Sequence, residues 1–233
     1  MACQKVGNSL RDDFSEIDSQ QVEEETKEPV SGQIHHQLDP SLKPPFLPPV
    51  CAKEYTLVLD LDETLLHFEE ATDSVHIRPG VGEFLTQLSE HYELVIFTAG
   101  MQDYADWAIP KLPCSDLISH RLYRHHALPC CDGRFYIKDL ALLGRDLKKT
   151  IIVDNISENY LLQPENGICI KTWYTDPDDD ALMQLAPLLL QIARRNVKDV
   201  KVALRESKEQ LMRMIIEGQE DPMLQIQKLS FSQ

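Results

Sequence analysis

Residues 55–64 read YTLVLDLDET. The run is almost unbroken in apolar character, has the length of a strand, and ends on an acid, Asp60, with Asp62 two positions later. Continuous rather than alternating apolar character predicts a strand covered on both faces. Three further runs repeat the pattern: residues 93–98 (ELVIFT), 150–154 (TIIVD) and, more weakly, 167–170 (GICI). Helical spacing lies between them. Val81, Phe84, Leu85 and Leu88 form one face, with Pro79 suited to the first turn. Tyr104, Ala105, Ala108 and Leu112 form another, interrupted near Pro110. Residues 178–195 begin with acids and end with arginines, as the helix dipole favours, and Pro187 is expected to kink or split that helix. Its stripe of Leu182, Leu185, Leu189 and Ile192 reads as core. Leu211, Met214 and Ile215 mark a last amphipathic helix ending near Gly218.

Strands alternating with helices predict an α/β fold of doubly wound type with a mostly parallel sheet. Ligands of such sheets sit beyond the carboxyl ends of the strands. Asp60, Thr98 and Asp154 each end a different strand, so all three are expected to converge on one crevice. No large cap domain fits between Asp60 and Thr98, and the only sizeable insertion after Thr98 spans residues 113–135. An open site of this kind can admit a phosphorylated side chain on a polypeptide.

Residues 1–53 read as a disordered tail: Glu23, Glu24 and Glu25 make an acidic run, and Pro40, Pro44, Pro45, Pro48 and Pro49 follow. Its end, KPPFLPPV, has the P-x-x-P spacing that docks on SH3 or WW domains, although a semi-rigid linker explains it as well. The expected organisation is a folded domain over 54–204, an amphipathic helix over 205–218 and a tail over 219–233. The formal net charge of −15 argues against a general nucleic-acid binder and obliges any phosphate site to carry its own local cation. The six cysteines, Cys3, Cys51, Cys114, Cys130, Cys131 and Cys169, contain no C-x-x-C pair, which suits reduced thiols in nucleus or cytoplasm. The first residues lack the apolar core of a secretory signal, and no run of about 18 apolar residues is present, so no membrane-spanning helix is expected.

The chemistry concentrates in Asp60 and Asp62. A carboxylate emerging from a strand end can attack phosphorus. A second acid two residues on can protonate the leaving oxygen and then activate water, a role that favours mildly acidic pH. A dianionic phosphate approaches a carboxylate only when a cation offsets the repulsion. Magnesium suits the oxygens available from Asp60, the Asp154–Asn155 pair and the Asp62 backbone carbonyl.

The order LVLDLDETLLH, VIFTAG, YIKDLALLGRDL, IIVDN and then WYTDPDDDAL resembles the haloacid-dehalogenase superfamily. Within it, the match is to the small C-terminal-domain phosphatases and their relatives, the FCP/SCP group, over residues 55–204. The resemblance implies a Rossmann-like core and a magnesium-dependent phosphoprotein (Ser/Thr) phosphatase working through a phospho-aspartate. It implies Asp60 as nucleophile and metal ligand, Asp62 as acid/base and backbone ligand, and Asn155 as metal ligand. Asp154 would support either the lysine or the metal. Thr64, Thr98, Arg124 and Lys138 would contact substrate, Lys138 pairing with both phosphate and nucleophile. The group's best-known substrate is the RNA polymerase II tail.

The chain departs from the group in places. The stretch between Asp62 and Arg78 is short, so the hairpin or flap that relatives carry there is expected to be lost. Gly100 stands where the group often has Ser, and the segment before Lys138 is about two residues longer. His125, His126, Cys130 and Cys131 match no standard zinc spacing. Two rival functions share the fold: an inactive binding scaffold, which would ordinarily lack the first acid, and a phosphatase of small metabolites.

Overall fold

The structure, a computed structural model, describes residue 38 and residues 41–49, 51–131 and 133–217. The acidic run Glu23–Glu25, Cys3 and the segment 219–233 lie outside the described residues. In chain order the elements are β1 (Tyr55–Leu59), β2 (Leu66–Glu69), β3 (Ser74–Ile77), α1 (Val81–Ser89), β4 (Tyr92–Phe97), α2 (Gln102–Ala108) and β5 (Ile118–Leu122). There follow β6 (Leu128–Cys130), β7 (Phe135–Ile137), β8 (Thr150–Asp154), β9 (Gly167–Cys169), α3 (Ala181–Arg194) and α4 (Val200–Ile216).

The main sheet has the order β5-β4-β1-β8-β9, and every neighbouring pair is parallel. β1 is central: Leu59 pairs with Ile96 on one side and Val153 on the other. From β1 the chain steps outward through β4 to β5, then returns to the far side of β1 for β8 and β9. The order therefore reverses between β1 and β8, and a crevice opens at such a point.

The unbroken apolar runs are explained by coverage on both faces. Leu57, Leu59, Leu94, Ile96, Ile151 and Val153 point into a core shared with α1, α2, α3 and α4. Val58, Val95, Phe97 and Ile152 point the other way, under short 3-10 turns carrying Leu140, Leu143 and Tyr160. Each side chain so buried contributes about 1.5–3 kcal/mol. α3 runs unsplit through Pro187 because Leu182, Leu185, Leu188, Leu189 and Ile192 are all buried, which outweighs one lost helical hydrogen bond. That helix begins at Ala181 rather than at residue 178, since Asp179 is drawn away to pair with Arg78.

Several sequence expectations need correction. The segment between Asp62 and Arg78 keeps a flap: β2 and β3 form a short antiparallel hairpin with His67 opposite His76. In residues 66–69 only Leu66 is fully buried, and four residues are too few to give a clear alternation. β5 and the hairpin β6–β7 also escaped notice, because ISHRL and LPC carry polar or proline residues. The boundary drawn at 204/205 falls inside α4, in which Leu204, Leu211 and Met214 pack on the core; the Ile215 side chain lies outside the described residues.

The boundary at residue 53 also moves. Leu47 is 2% exposed and joins the second core, with Phe46 packed beside it. Their amides donate to Leu142 O and Leu143 O at 2.9 and 3.3 Å. Phe46 also meets the His126 ring edge-on at 5.1 Å. Gly144, at φ +74°, receives Pro45 so closely that an added Cβ would lie 2.5 Å from the Pro45 Cβ. A proline-rich composition is poor at forming elements, yet two apolar residues within it suffice to anchor the strap.

Two outcomes follow for stability. Leu47→Ala should lower the unfolding free energy by about 2–4 kcal/mol in urea titration; an unchanged midpoint would mean that the strap is not docked. At the amino ends of the strands, burial would lift the Glu93 carboxyl, but hydrogen bonds from Arg145 at 2.8 and 2.9 Å pull it below the usual range. A depressed carboxylate adds stability above its unfolded pKa of about 4.3 and loses it as pH falls through the lower folded value. Stability should therefore decline on acidification below about pH 4.3, and Glu93→Gln should flatten that acid limb.

Candidate active site

Asp60 and Asp154 stand side by side at the ends of β1 and β8, where the strand order reverses. Lys138, delivered by the residue after β7, reaches between them. Its Nζ lies 2.6 Å from Asp60 Oδ1 and 2.6 Å from Asp154 Oδ2, and its side chain is 0% exposed. Burial alone would push this amine toward neutrality, but the two carboxylates outweigh it and shift the ammonium's pKa upward. The lysine backbone is held too, its N–H donating to Asn159 O at 2.6 Å.

Asp154 has little capacity left. Its oxygens accept from Lys138, from Ile156 N at 2.8 Å and from Asn159 Nδ2 at 3.1 and 3.2 Å. Of the two roles given to it on sequence, its surroundings favour support of the lysine over metal ligation. Asn159, 4% exposed, was missed by sequence reading; an asparagine in the run SENY carries no signal that it will face a buried carboxylate.

Asp60 Oδ2 faces a different partner, the Thr64 hydroxyl at 3.0 Å, and the same hydroxyl faces Asn155 Oδ1 at 3.3 Å. One hydroxyl hydrogen cannot serve both oxygens, so a carboxylate and an amide oxygen stand together with acceptor capacity to spare. Asn155 Nδ2 donates to Thr172 Oγ1, leaving its oxygen to the Thr64 hydroxyl. Among the described residues, no three His, Cys, Asp or Glu side chains group as a metal site by themselves. The oxygens brought together are instead mixed and hard, the Asp60 carboxylate and the Asn155 amide, with the Asp62 carbonyl on the same short loop as a further ligand expected from sequence. Magnesium takes one or two carboxylates and keeps its waters, so these residues fit it.

Asp62 sits in surroundings of another kind. It accepts from the Tyr104 hydroxyl on Oδ1 and from Thr98 Oγ1 on Oδ2 at 3.3 Å. Burial raises its pKa, and the two hydroxyl donors only partly oppose the shift. Tyr104 itself is held protonated by burial and by the Asp62 carboxylate. Sequence reading placed Tyr104 on an apolar helix face; nothing in that pattern reveals that its hydroxyl reaches a carboxylate. Thr98 is 0% exposed and accepts from Gly100 N at 2.8 Å, so its direct partner here is Asp62. Arg124 lies at the rim: its Nε donates to Ala99 O at 2.5 Å and its guanidinium covers the Tyr136 ring at 4.8 Å. Arg78 is 1% exposed beneath the loop, bound to Asp179 and to the Thr64 carbonyl, and also went unrecognised on sequence. Cys130 and Cys131 lie with their sulfurs 3.3 Å apart on the β6–β7 hairpin, away from this constellation.

An α/β domain that gathers two carboxylates, a buried lysine and an amide at its strand reversal carries its polar groups where ligands of such sheets bind. The chain matches the model of the NLI interacting factor-like phosphatases over residues 55–201, and it belongs to that family. A probable C-terminal domain small phosphatase of Dictyostelium discoideum is 41% identical over 172 residues, covering 66% of this chain and 55% of that protein. The mitochondrial import inner membrane translocase subunit tim50 of Aspergillus fumigatus is 39% identical over 182 residues, covering 77% of this chain and 34% of that protein. A solved structure of the fission yeast RNA polymerase II CTD phosphatase Fcp1 bound to beryllium fluoride aligns with TM-score 0.40 at 16% identity, covering 76% of this chain and 61% of that one. The chain thus spans about a third to just over half the length of these two curated relatives. Among the described residues, no helix is long and apolar enough to cross a membrane.

Lys138→Met should leave Asp60 and Asp154 facing each other without a counter-ion. The expected loss is about 3–5 kcal/mol in urea unfolding, with part recovered when Asp154→Asn is added. An unchanged midpoint for the single variant would contradict the buried bridge.

Proposed function

We propose that this chain is a magnesium-dependent phosphatase of phosphoserine or phosphothreonine in proteins, acting through a phospho-aspartate on Asp60. One observation carries the reading: two carboxylates two residues apart, both raised by burial, meet different partners, an ammonium at Asp60 and hydroxyls at Asp62. Burial and the neighbouring Asp154 push the Asp60 carboxyl up to about 7, and the Lys138 ammonium 2.6 Å away opposes that rise and favours the ionised nucleophile. Asp62 is raised by burial, which favours the protonated acid.

In this reading an oxygen of Asp60 attacks the phosphorus in line with the ester oxygen. The phosphorus–ester bond breaks, and Asp62 gives its proton to the departing alcohol. Asp62, now a carboxylate, takes a proton from water as that water attacks the aspartyl phosphate. Phosphate leaves, and both acids return to their starting states. Lys138 stays charged throughout and offsets the phosphate's negative charge beside Asp60. Thr64 orients Asp60 Oδ2 toward Asn155. Tyr104 and Thr98 hold Asp62 where the leaving oxygen must pass. Magnesium, held by Asp60, Asn155 and the Asp62 carbonyl, would supply further charge neutralisation at the phosphoryl oxygens.

The short β2–β3 flap and, among the described residues, the absence of a large cap leave the mouth open, which supports a polypeptide substrate over an enclosed metabolite. Arg124 at the rim is proposed to meet the substrate near its phosphate. A phosphoprotein such as the RNA polymerase II tail fits this architecture. Cys51, Cys114, Cys130, Cys131 and Cys169 are free thiols, which suits a nuclear or cytoplasmic setting. The proline-rich strap's binding to SH3 or WW domains would have to compete with the burial of Leu47. The similarity to translocase subunits supports a second reading, a binding scaffold on the same fold.

Turnover of para-nitrophenyl phosphate should require magnesium and should vanish in Asp60→Asn. Because the Asp62 proton is lost as pH rises through its raised pKa, activity should fall on the alkaline side. Asp62→Asn should lower kcat by about 10²–10⁴-fold and remove that limb. Phosphopeptides should be preferred over sugar or nucleotide phosphates; the reverse preference would favour a metabolite phosphatase. A folded wild type without turnover would favour the scaffold.

A further inference from the structure

The Arg78–Asp179 pair takes no part in the steps above. Its guanidinium and carboxylate side chains are 0% and 2% exposed, so both have lost their hydration. Replacing such a pair with apolar side chains of similar volume is often neutral or stabilising, which makes stability a weak reason for the pair. The geometry supplies a better one. Nε and Nη2 grip the Asp179 oxygens at 2.6 and 3.0 Å, and Nη1 is left to donate to Thr64 O at 3.1 Å. The Arg78 amide also donates to Leu65 O at 3.1 Å. Asp179 is in turn fixed at the start of α3 by Ala181 N at 3.3 Å. Trp173 N clips the same loop to Glu63 O at 2.9 Å.

The planar guanidinium therefore joins three segments: the end of the flap hairpin, the catalytic loop and the loop leading into α3. What it holds in the catalytic loop is the residue whose hydroxyl stands between Asp60 Oδ2 and Asn155 Oδ1. We propose that Arg78 is a positioning residue, which fixes the Thr64 carbonyl and, through the Thr64 hydroxyl, the relative placement of Asp60 and Asn155. The inference rests on the phosphatase reading of that site. Lysine cannot substitute, because one ammonium lacks the fork that grips a carboxylate and reaches a carbonyl together.

The test separates positioning from support of the fold. R78M/D179L removes both charges and refills the space with apolar atoms, so it should melt at or above the wild-type temperature. Its kcat for para-nitrophenyl phosphate should nevertheless fall about 10- to 100-fold, with KM changed far less. Hydrogen exchange should quicken in residues 61–66 and stay unchanged in β1, β4 and β8. R78K should keep the charge pair, lose the Thr64 contact and fall between the two in kcat and in loop exchange. It carries the test if the double variant does not fold. Wild-type kcat and wild-type loop exchange in a stable R78M/D179L would overturn the proposal, as would a kcat that simply tracks melting temperature. The exchange measurement needs no turnover, so an inactive wild type would count against the phosphatase reading while loop exchange still decides the role of Arg78.

Discussion

An ammonium group cut off from water has to be matched by carboxylates, and much of this molecule is arranged around meeting that demand for Lys138. The parallel sheet brings Asp60 and Asp154 to adjacent strand ends, and the β6–β7 hairpin delivers the lysine between them at 2.6 Å from each. Asn159 and the Ile156 amide then saturate Asp154, so the bridge is closed on the buried side and open only through Asp60. Lys138 is also the local cation that a phosphate site would need in a chain of net charge −15.

The bridge gives two acids on one short loop different surroundings. Burial raises both, but Asp60 is tied to positive charge, whereas Asp62 accepts only from hydroxyls. Neither state is intrinsic to aspartate; each follows from which segment packs against it. α2 supplies Tyr104, the end of β4 supplies Thr98, and the loop before α3 reaches back through Asp179 and Arg78. A fold that only buried its apolar runs would have no need of these polar contacts, which converge on one mouth.

Much of this was legible in the sequence for a physical reason. Strands buried on both faces must be continuously apolar, so YTLVLD, ELVIFT and TIIVD announced both the sheet and the acids at its ends. Motif order then placed Lys138 and Asn155. The illegible parts depend on contacts between distant segments. Tyr104 and Asn159 sit in helical or turn sequences that would read the same if they faced solvent. Arg78 looked like a flanking residue because its partner lies 101 positions away. β5 and both hairpins are short and mixed in polarity, and the docked strap hides in a proline-rich stretch that composition alone assigns to linker.

The central claim is covalent: phosphate passes through Asp60. The most direct measurement is an acid quench during turnover of a radiolabelled phosphopeptide, followed by proteolysis and mass mapping of the labelled fragment. The account predicts an acid-stable, hydroxylamine-labile phosphate on Asp60, absent in Asp60→Asn and accumulating when Asp62→Asn slows its hydrolysis. Active enzyme without a labelled Asp60 peptide, or with label on another residue, would contradict it.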